Sequence, residues 1–308
     1  MTTNPELHRR QDRMGAWLDS PLPAIELSIE IFPPRSDEAR DRLWQNLELF
    51  VAARPRFISV TCGAGGTGED GTFPLVQAVQ ARFAVPVAAH LTCAYAPKDT
   101  IDAVVRRYWE SGIRRIVALR GDPPKGTDRY VPRPDGYAYA DDLVRGIRAV
   151  AGFDISVGCY PEVHPEAPSA EADLEHLKRK VEAGADRLIT QYCFDTDRIL
   201  RFRDRLVEHG IEAEFVPGIM PIHSFTQIRR FSAACGAGIP PWLVRLFDGV
   251  EDGTALHGMI AASVAAEQSR RLAAEGLTRL HIYALNRAEL PLALSHLLGA
   301  ARPAAAAA

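Results

Sequence analysis

A glutamate interrupts the apolar run Leu27-Ser28-Ile29-Glu30-Ile31, and Pro33-Pro34 follow it. Side chains alternate between the faces of a strand, so Leu27, Ile29 and Ile31 share one face and Ser28, Glu30 and Phe32 the other. Proline donates no ladder hydrogen bond, so the strand is expected to end there. A buried carboxylate is costly unless it is paired or neutral. Apolar surroundings raise a carboxyl pKa by disfavouring its charged form. Pairing with a neighbour such as Arg35 is the structural alternative.

Further polar residues stand at the ends of other apolar runs: Thr61, His90, Arg120-Gly121-Asp122, Tyr160, Gln191 and Tyr283. Asp173, His176 and Lys180 follow i, i+3, i+7 spacing, which sets them on one helical face with Arg179 beside them. Such a stripe is either a solvated face or a surface for an anionic, hydroxyl-rich ligand such as a dinucleotide. The proline-punctuated loop Tyr160-Pro161-Glu162-Val163-His164-Pro165-Glu166 precedes it. Gly63-Ala64-Gly65-Gly66-Thr67-Gly68 matches GxGxxG, but Glu69-Asp70-Gly71-Thr72 offers no helix start. No acidic residue closes the next strand either, so a mobile active-site loop is expected in place of a dinucleotide fingerprint. His90, His164 and His176 could converge, yet no HxH, HExxH or CxxC spacing supports a metal. None of the lysines Lys98, Lys125, Lys178 and Lys180 lies in a candidate strand, which disfavours a Schiff base.

The chain that must position these groups has 308 residues, 47% hydrophobic and 24% charged, with net charge −3. That is a globular composition without the basic blocks that nucleic acid or an anionic membrane would attract. No apolar run reaches the ~20 residues of a membrane span, and the polar N-terminus lacks a signal-peptide core, so a cytoplasmic location is expected. The five cysteines (Cys62, Cys93, Cys159, Cys193 and Cys235) are widely spaced and are expected to be small buried residues. Strands are expected at 25–31, 57–61, 87–91, 115–119, 156–160, 187–191, 214–216 and 279–283. Helices fit at 37–53, 73–83, 97–111, 139–150, 169–183, 195–209, 224–235 and 287–298, with two more near 241–247 and 254–275. Gly112, Gly184, Gly210 and Gly276 are expected helix stops. Eight strands alternating with helices indicate a single (β/α)8 TIM barrel over 25–300, with extra helices before the last strand. A doubly wound open sheet is the alternative. Residues 1–24 are expected to be a polar arm, with a short helix near 12–18, and 301–308 a low-complexity tail. In a barrel the polar strand ends would meet at the C-terminal face, where such folds carry their active sites.

The chain resembles the methylenetetrahydrofolate reductase family. The matching stretches are Glu30-Ile31-Phe32-Pro33-Pro34-Arg35, Ser59-Val60-Thr61, His90-Leu91-Thr92-Cys93 and Ile116-Val117-Ala118-Leu119-Arg120-Gly121-Asp122. The 160–166 loop, Leu177-Lys178-Arg179-Lys180, Ile189-Thr190-Gln191, Pro217-Gly218-Ile219-Met220-Pro221 and Tyr283-Ala284-Leu285-Asn286-Arg287 complete them. The length resembles the short bacterial form, the catalytic domain without a regulatory one. The resemblance implies reduction of 5,10-methylenetetrahydrofolate to 5-methyltetrahydrofolate by a ping-pong mechanism, with tightly bound FAD and NADH or NADPH as co-substrate. It implies Glu30 as general acid and Asp122 as a catalytic group near the flavin. Gln191, Phe225, Tyr283 and Arg287 match substrate-binding positions. Thr61, His90, Arg120, Gly121, Asp122, Tyr139, Ala140, Tyr160, His164, Asp173, Arg179 and Lys180 match FAD-contact positions. His176 joins them where relatives can carry asparagine, since imidazole still donates a hydrogen bond. The segment 126–136 looks longer than in some relatives. A homodimer or homotetramer is expected. Rival readings are a metal-dependent barrel methyltransferase using Cys93, Cys159 or Cys193, and a relative that binds folate or flavin without turnover.

Overall fold

The computed structural model describes residues 24–62, 69–94, 96–122 and 130–300. The arm before residue 24, with its expected short helix, lies outside these residues. So do the glycine loop 63–68, the first part of 126–136 and the tail.

The described residues form nine strands: β1 (Glu26–Ile31), β2 (Ile58–Val60), β3 (Val87–Thr92), β4 (Arg115–Leu119), β5 (Asp154–Cys159), β6 (Arg187–Thr190), β7 (Glu214–Val216), β8 (Gly218–Ile219) and β9 (Arg279–Tyr283). All pair in parallel, in the order β7-β6-β5-β4-β3-β2-β1-β9-β8. The two end strands are halves of one segment split at Pro217. Pro217 has no N–H to give, but its carbonyl accepts from His281 N at 2.9 Å, and Gly218 N donates to Thr190 Oγ1 at 2.9 Å. One edge of the segment thus meets β6 and the other β9, which closes an eight-strand barrel. Gly218 has no alternative there, because a Cβ would lie 2.3 Å from Thr190 O and 2.5 Å from Tyr283 Cε2.

The helices are α1 (Asp37–Ala52), α2 (Glu69–Arg82), α3 (Lys98–Glu110), α4 (Ala140–Val150), α5 (Ala170–Glu182), α6 (Thr196–Glu208), α7 (Phe225–Cys235), α8 (Pro241–Phe247), α9 (Ala255–Ala274) and α10 (Glu289–Leu297). None is long and apolar enough to cross a membrane. The expected glycine stops at Gly112, Gly184, Gly210 and Gly276 all have positive φ, as a left-handed C-terminal residue requires. The second helix begins at Glu69, earlier than the expected residue 73. Gly71 suits the helix because a Cβ there would lie 3.0 Å from Pro33 Cβ. A helix therefore does follow the glycine loop directly, and one of the two arguments against a dinucleotide fingerprint falls. The other stands, since β3 ends in Thr92 and Cys93 follows.

Leu27, Ile29 and Ile31 pack outward against helix residues such as Leu43, Leu47 and Leu294. The barrel interior holds Phe57, Ala88, Val117, Ile189 and Val216. A third cluster, including Tyr192, Met220, Leu243 and Phe247, joins α7–α9 to the barrel. Below the interior layer, the first residues of six strands form an ion-pair ring: Glu26, Arg115, Asp154, Arg187, Glu214 and Arg279. Arg187, only 5% exposed, donates to Asp154 at 2.7 Å and Glu214 at 2.8 Å. The N-terminal barrel face is closed by charge pairing, which leaves the C-terminal face for chemistry.

Candidate active site at the C-terminal strand ends

A cavity of about 710 Å³ opens over that face. Glu30, Thr61, His90, Gln191 and Tyr283 reach it from strand ends, with Arg120, Gly121 and Asp122 following β4. Tyr160 and His164 reach it from the loop after β5, and Tyr139 and Ala140 from the start of α4. The stripe on α5 faces it as well: Asp173, His176, Arg179 and Lys180 all line the wall. Phe225 and Arg287 do not line the cavity. Phe225 stacks on Phe247, with centroids 4.8 Å apart and planes at 9°, and its N–H is held by Asp252 Oδ1 at 2.8 Å. Arg287 is exposed and follows two residues with positive φ, Leu285 and Asn286, a turn that carries the chain past the cavity.

Glu30 lies between two imidazoles. Its Oε2 is 3.5 Å from His90 Nε2 and 3.6 Å from His281 Nε2. Ser28 Oγ is hydrogen-bonded to His281 Nδ1 at 2.7 Å, which fixes that ring. Arg35 is exposed and is not the partner. Burial is the largest influence on Glu30 and raises its pKa, but the neighbouring histidines, His281 first, outweigh it. The carboxyl sits below its ordinary value, contrary to the elevation expected from an apolar strand. The strand context correctly indicated the desolvation but not its neighbours. His281 was legible, because alternation within 279–283 puts it on the face of Tyr283, and the register pairs it with Ser28.

The surrounding groups have settled protonation states. Burial pushes His90 down to about 4, and its Nε2 has no hydrogen-bond partner. Burial raises Tyr283 well above its usual value, and its hydroxyl donates to Thr190 O at 2.6 Å. Burial likewise pushes Tyr160 up to about 12. Lys180, lowered by burial, donates to Gly158 O at 2.9 Å, and Asp173 accepts from His164 N at 2.9 Å. Glu166, quoted within the loop but not singled out as a site residue, grips Arg120 with both oxygens. The fork geometry of arginine was the available signal.

Cys93, Cys159 and Cys193 are buried, whereas Cys62 and Cys235 are partly exposed. Burial pushes Cys93 and Cys193 up to about 12 and Cys159 higher still, so they are protonated thiols. Among the described residues, no group of three or more His, Cys, Asp or Glu is placed to hold a metal ion.

A closed parallel barrel with a large cavity over its C-terminal strand ends, into which polar side chains converge, defines a (β/α)8-barrel protein with a small-molecule site. Comparison with known proteins narrows this class. The family model described as methylenetetrahydrofolate reductase matches residues 22–299, and the chain belongs to that family. It is 44% identical over 290 residues to 5,10-methylenetetrahydrofolate reductase of Escherichia coli (strain K12), covering 94% of this chain and 96% of that one. It is 37% identical over 270 residues to methylenetetrahydrofolate reductase (NADH) 1 of Zea mays, covering 84% of this chain and 46% of the plant protein. A solved structure, an uncharacterized protein from Clostridium thermocellum that binds two copies of 5-methyl-5,6,7,8-tetrahydrofolic acid, shares the fold at TM-score 0.61 and 13% identity. It covers 94% of this chain and 97% of its own.

Proposed function

We propose that this protein reduces 5,10-methylenetetrahydrofolate to 5-methyltetrahydrofolate, using FAD and a nicotinamide donor, with Glu30 as the general acid. The observation that carries this reading is a carboxyl group at a strand end, set between the His90 and His281 imidazoles, inside a cavity large enough for a dinucleotide and a second ligand in turn. Family membership supplies the folate.

The residues fit a flavin dinucleotide. Arg120, Arg179 and Lys180 bring positive charge to one end of the wall. Tyr139 caps α4 without a side-chain hydrogen bond, so backbone N–H groups at that helix start are available to an anion. His90 Nε2 is a buried polar atom awaiting a partner. Thr61, Gly121, Asp122, Tyr160, His164, Asp173 and His176 would complete the contacts. The chemistry a bound flavin supplies is two-electron hydride carriage from NADH or NADPH to the folate, by ping-pong.

Protein groups manage the proton. The folate's bridging methylene joins two nitrogens, and one C–N bond must break to leave an iminium carbon that accepts hydride. Glu30 donates its proton to the leaving nitrogen, which departs with the electron pair of that bond; hydride addition then completes the methyl group. Glu30 is still 21% exposed. A ligand that covers it removes the remaining water, and this desolvation shifts the carboxyl towards its protonated form when the substrate is present. His281, held by Ser28, is the neighbour through which that proton can be replaced. Gln191 and Tyr283 would orient the folate, and Phe225 and Arg287 would contact it only after leaving their present positions. The experiment is a visible spectrum of the purified protein: oxidised-flavin absorption, bleached by NADH or NADPH and restored by methylenetetrahydrofolate. A colourless protein that neither takes up FAD nor oxidises the donor refutes the reading.

A further inference from the structure

Arg120 is occupied by one carboxylate. Its Nη1 donates to Glu166 Oε2 at 2.8 Å and its Nη2 to Glu166 Oε1 at 2.6 Å. Its Nε donates to Gly121 O at 3.1 Å, and the guanidinium lies 4.8 Å from the centre of the Tyr130 ring. Both partners line the cavity. A planar guanidinium fork suits a carboxylate and a phosphate alike, so whatever holds both N–H groups excludes the other.

The loop that delivers Glu166 is anchored. Glu162 Oε2 accepts from Gly238 N at 2.7 Å, and Pro165 lies so close to Gly236 that a Cβ there would meet it at 2.8 Å. Val163, a β-branched residue, is held at φ 72°, a conformation that persists only where the surroundings enforce it. Glu166 N donates to His164 Nδ1 at 3.0 Å, which sets the carboxylate's approach.

The cavity is also rich in negative charge. Among its described lining residues, Glu30, Asp122, Asp141, Glu166 and Asp173 are carboxylates, against the cations Arg120, Arg179 and Lys180. Lys180 is already committed to Gly158 O. A diphosphate entering this wall meets more carboxylates than cations, and a bidentate cation that is already taken.

We propose that Glu166 competes with the dinucleotide's diphosphate for Arg120, and thereby sets how tightly the protein retains FAD. This rests on the flavin reading above. Loading exchanges one anion for another on the same guanidinium, and Glu166 recaptures Arg120 when the dinucleotide leaves.

The test titrates FAD and riboflavin separately into the full chain stripped of flavin, wild type and Glu166→Gln, following flavin fluorescence. Riboflavin has the same ring system and no phosphate. The expected result is an FAD Kd about tenfold lower in the variant, with the riboflavin Kd unchanged. Equal or weaker FAD binding by Glu166→Gln overturns the proposal and makes Glu166 an orienting partner of Arg120. Equal tightening of riboflavin overturns it too, because the effect would not concern the phosphates. Wild-type protein that takes up neither flavin refutes the flavin reading itself, and this inference with it.

Discussion

His281 Nε2 lies 3.6 Å from Glu30 Oε2, while Nδ1 of the same ring is tied to Ser28 Oγ at 2.7 Å. Three side chains on two adjacent strands therefore share one line of proton-bearing atoms, all facing the barrel interior. The pairing of β1 with β9, Ser28 opposite His281 and Glu30 opposite Tyr283, creates the arrangement. A shift of one residue in either strand would turn these groups outward.

The first prediction concerns that line. His281 lowers the Glu30 pKa, against burial. In His281→Phe the burial effect is left with less opposition, so the Glu30 pKa rises. Single-turnover oxidation of the reduced protein by methylenetetrahydrofolate, followed against pH, reads this as a basic limb displaced to higher pH. An unmoved limb removes His281 from the account.

Asp122 lines the cavity beside Gly121. With flavin bound there, Asp122→Asn removes a negative charge and makes reduction easier, so the midpoint potential moves to a more positive value. Folate turnover falls about a hundredfold as the charge facing the cationic folate is lost. Potentiometry and steady-state kinetics check the two effects separately, and no change in either removes Asp122 from the site.

At the opposite barrel face, Arg187 is buried between Asp154 and Glu214. Arg187→Met leaves both carboxylates short of a partner and destabilises the fold by about 3–5 kcal/mol. Denaturant unfolding measures it. A loss below about 1 kcal/mol would make the ring an ordinary surface network.

His223 gives a pH-dependent stability. Burial pushes it down to about 4 from 6.5, and its Nε2 has no hydrogen-bond partner. In the unfolded chain it gains a proton near 6.5, in the folded chain only near 4, so the unfolded state binds more protons between these values. The stabilisation from keeping it neutral is therefore fully present above 6.5 and is lost as pH falls towards 4. Unfolding free energy of the wild type should decline across this window more steeply than that of His223→Gln, by up to about 1.4 kcal/mol per pH unit. Parallel curves for the two proteins contradict the assignment.

Most of this architecture was legible because its signals are local. Apolar runs ending in polar residues marked seven of the eight strands, and i, i+3, i+7 spacing marked the α5 stripe. What escaped depends on contacts between distant segments. Pro217 ended the seventh strand in the sequence, yet the barrel continues through Gly218–Ile219 because β9 pairs with that half. Gly71 looked like a loop residue until Pro33 was seen packed against it. An elevated Glu30 pKa followed from strand context alone, and two histidines on other strands reversed it. Phe225 and Arg287 carry the family pattern, but stacking on Phe247 and the turn at Leu285-Asn286 keep them off the cavity wall.

The central claim is that Glu30 supplies the proton that opens the folate ring. Glu30→Gln preserves size and hydrogen-bonding capacity but cannot donate that proton. Stopped-flow absorbance on the flavin-loaded variant separates the half-reactions. The account predicts flavin reduction by NADH or NADPH at a rate near wild type, and reoxidation by methylenetetrahydrofolate slowed by at least about a hundredfold. Reoxidation at a near-normal rate would contradict it.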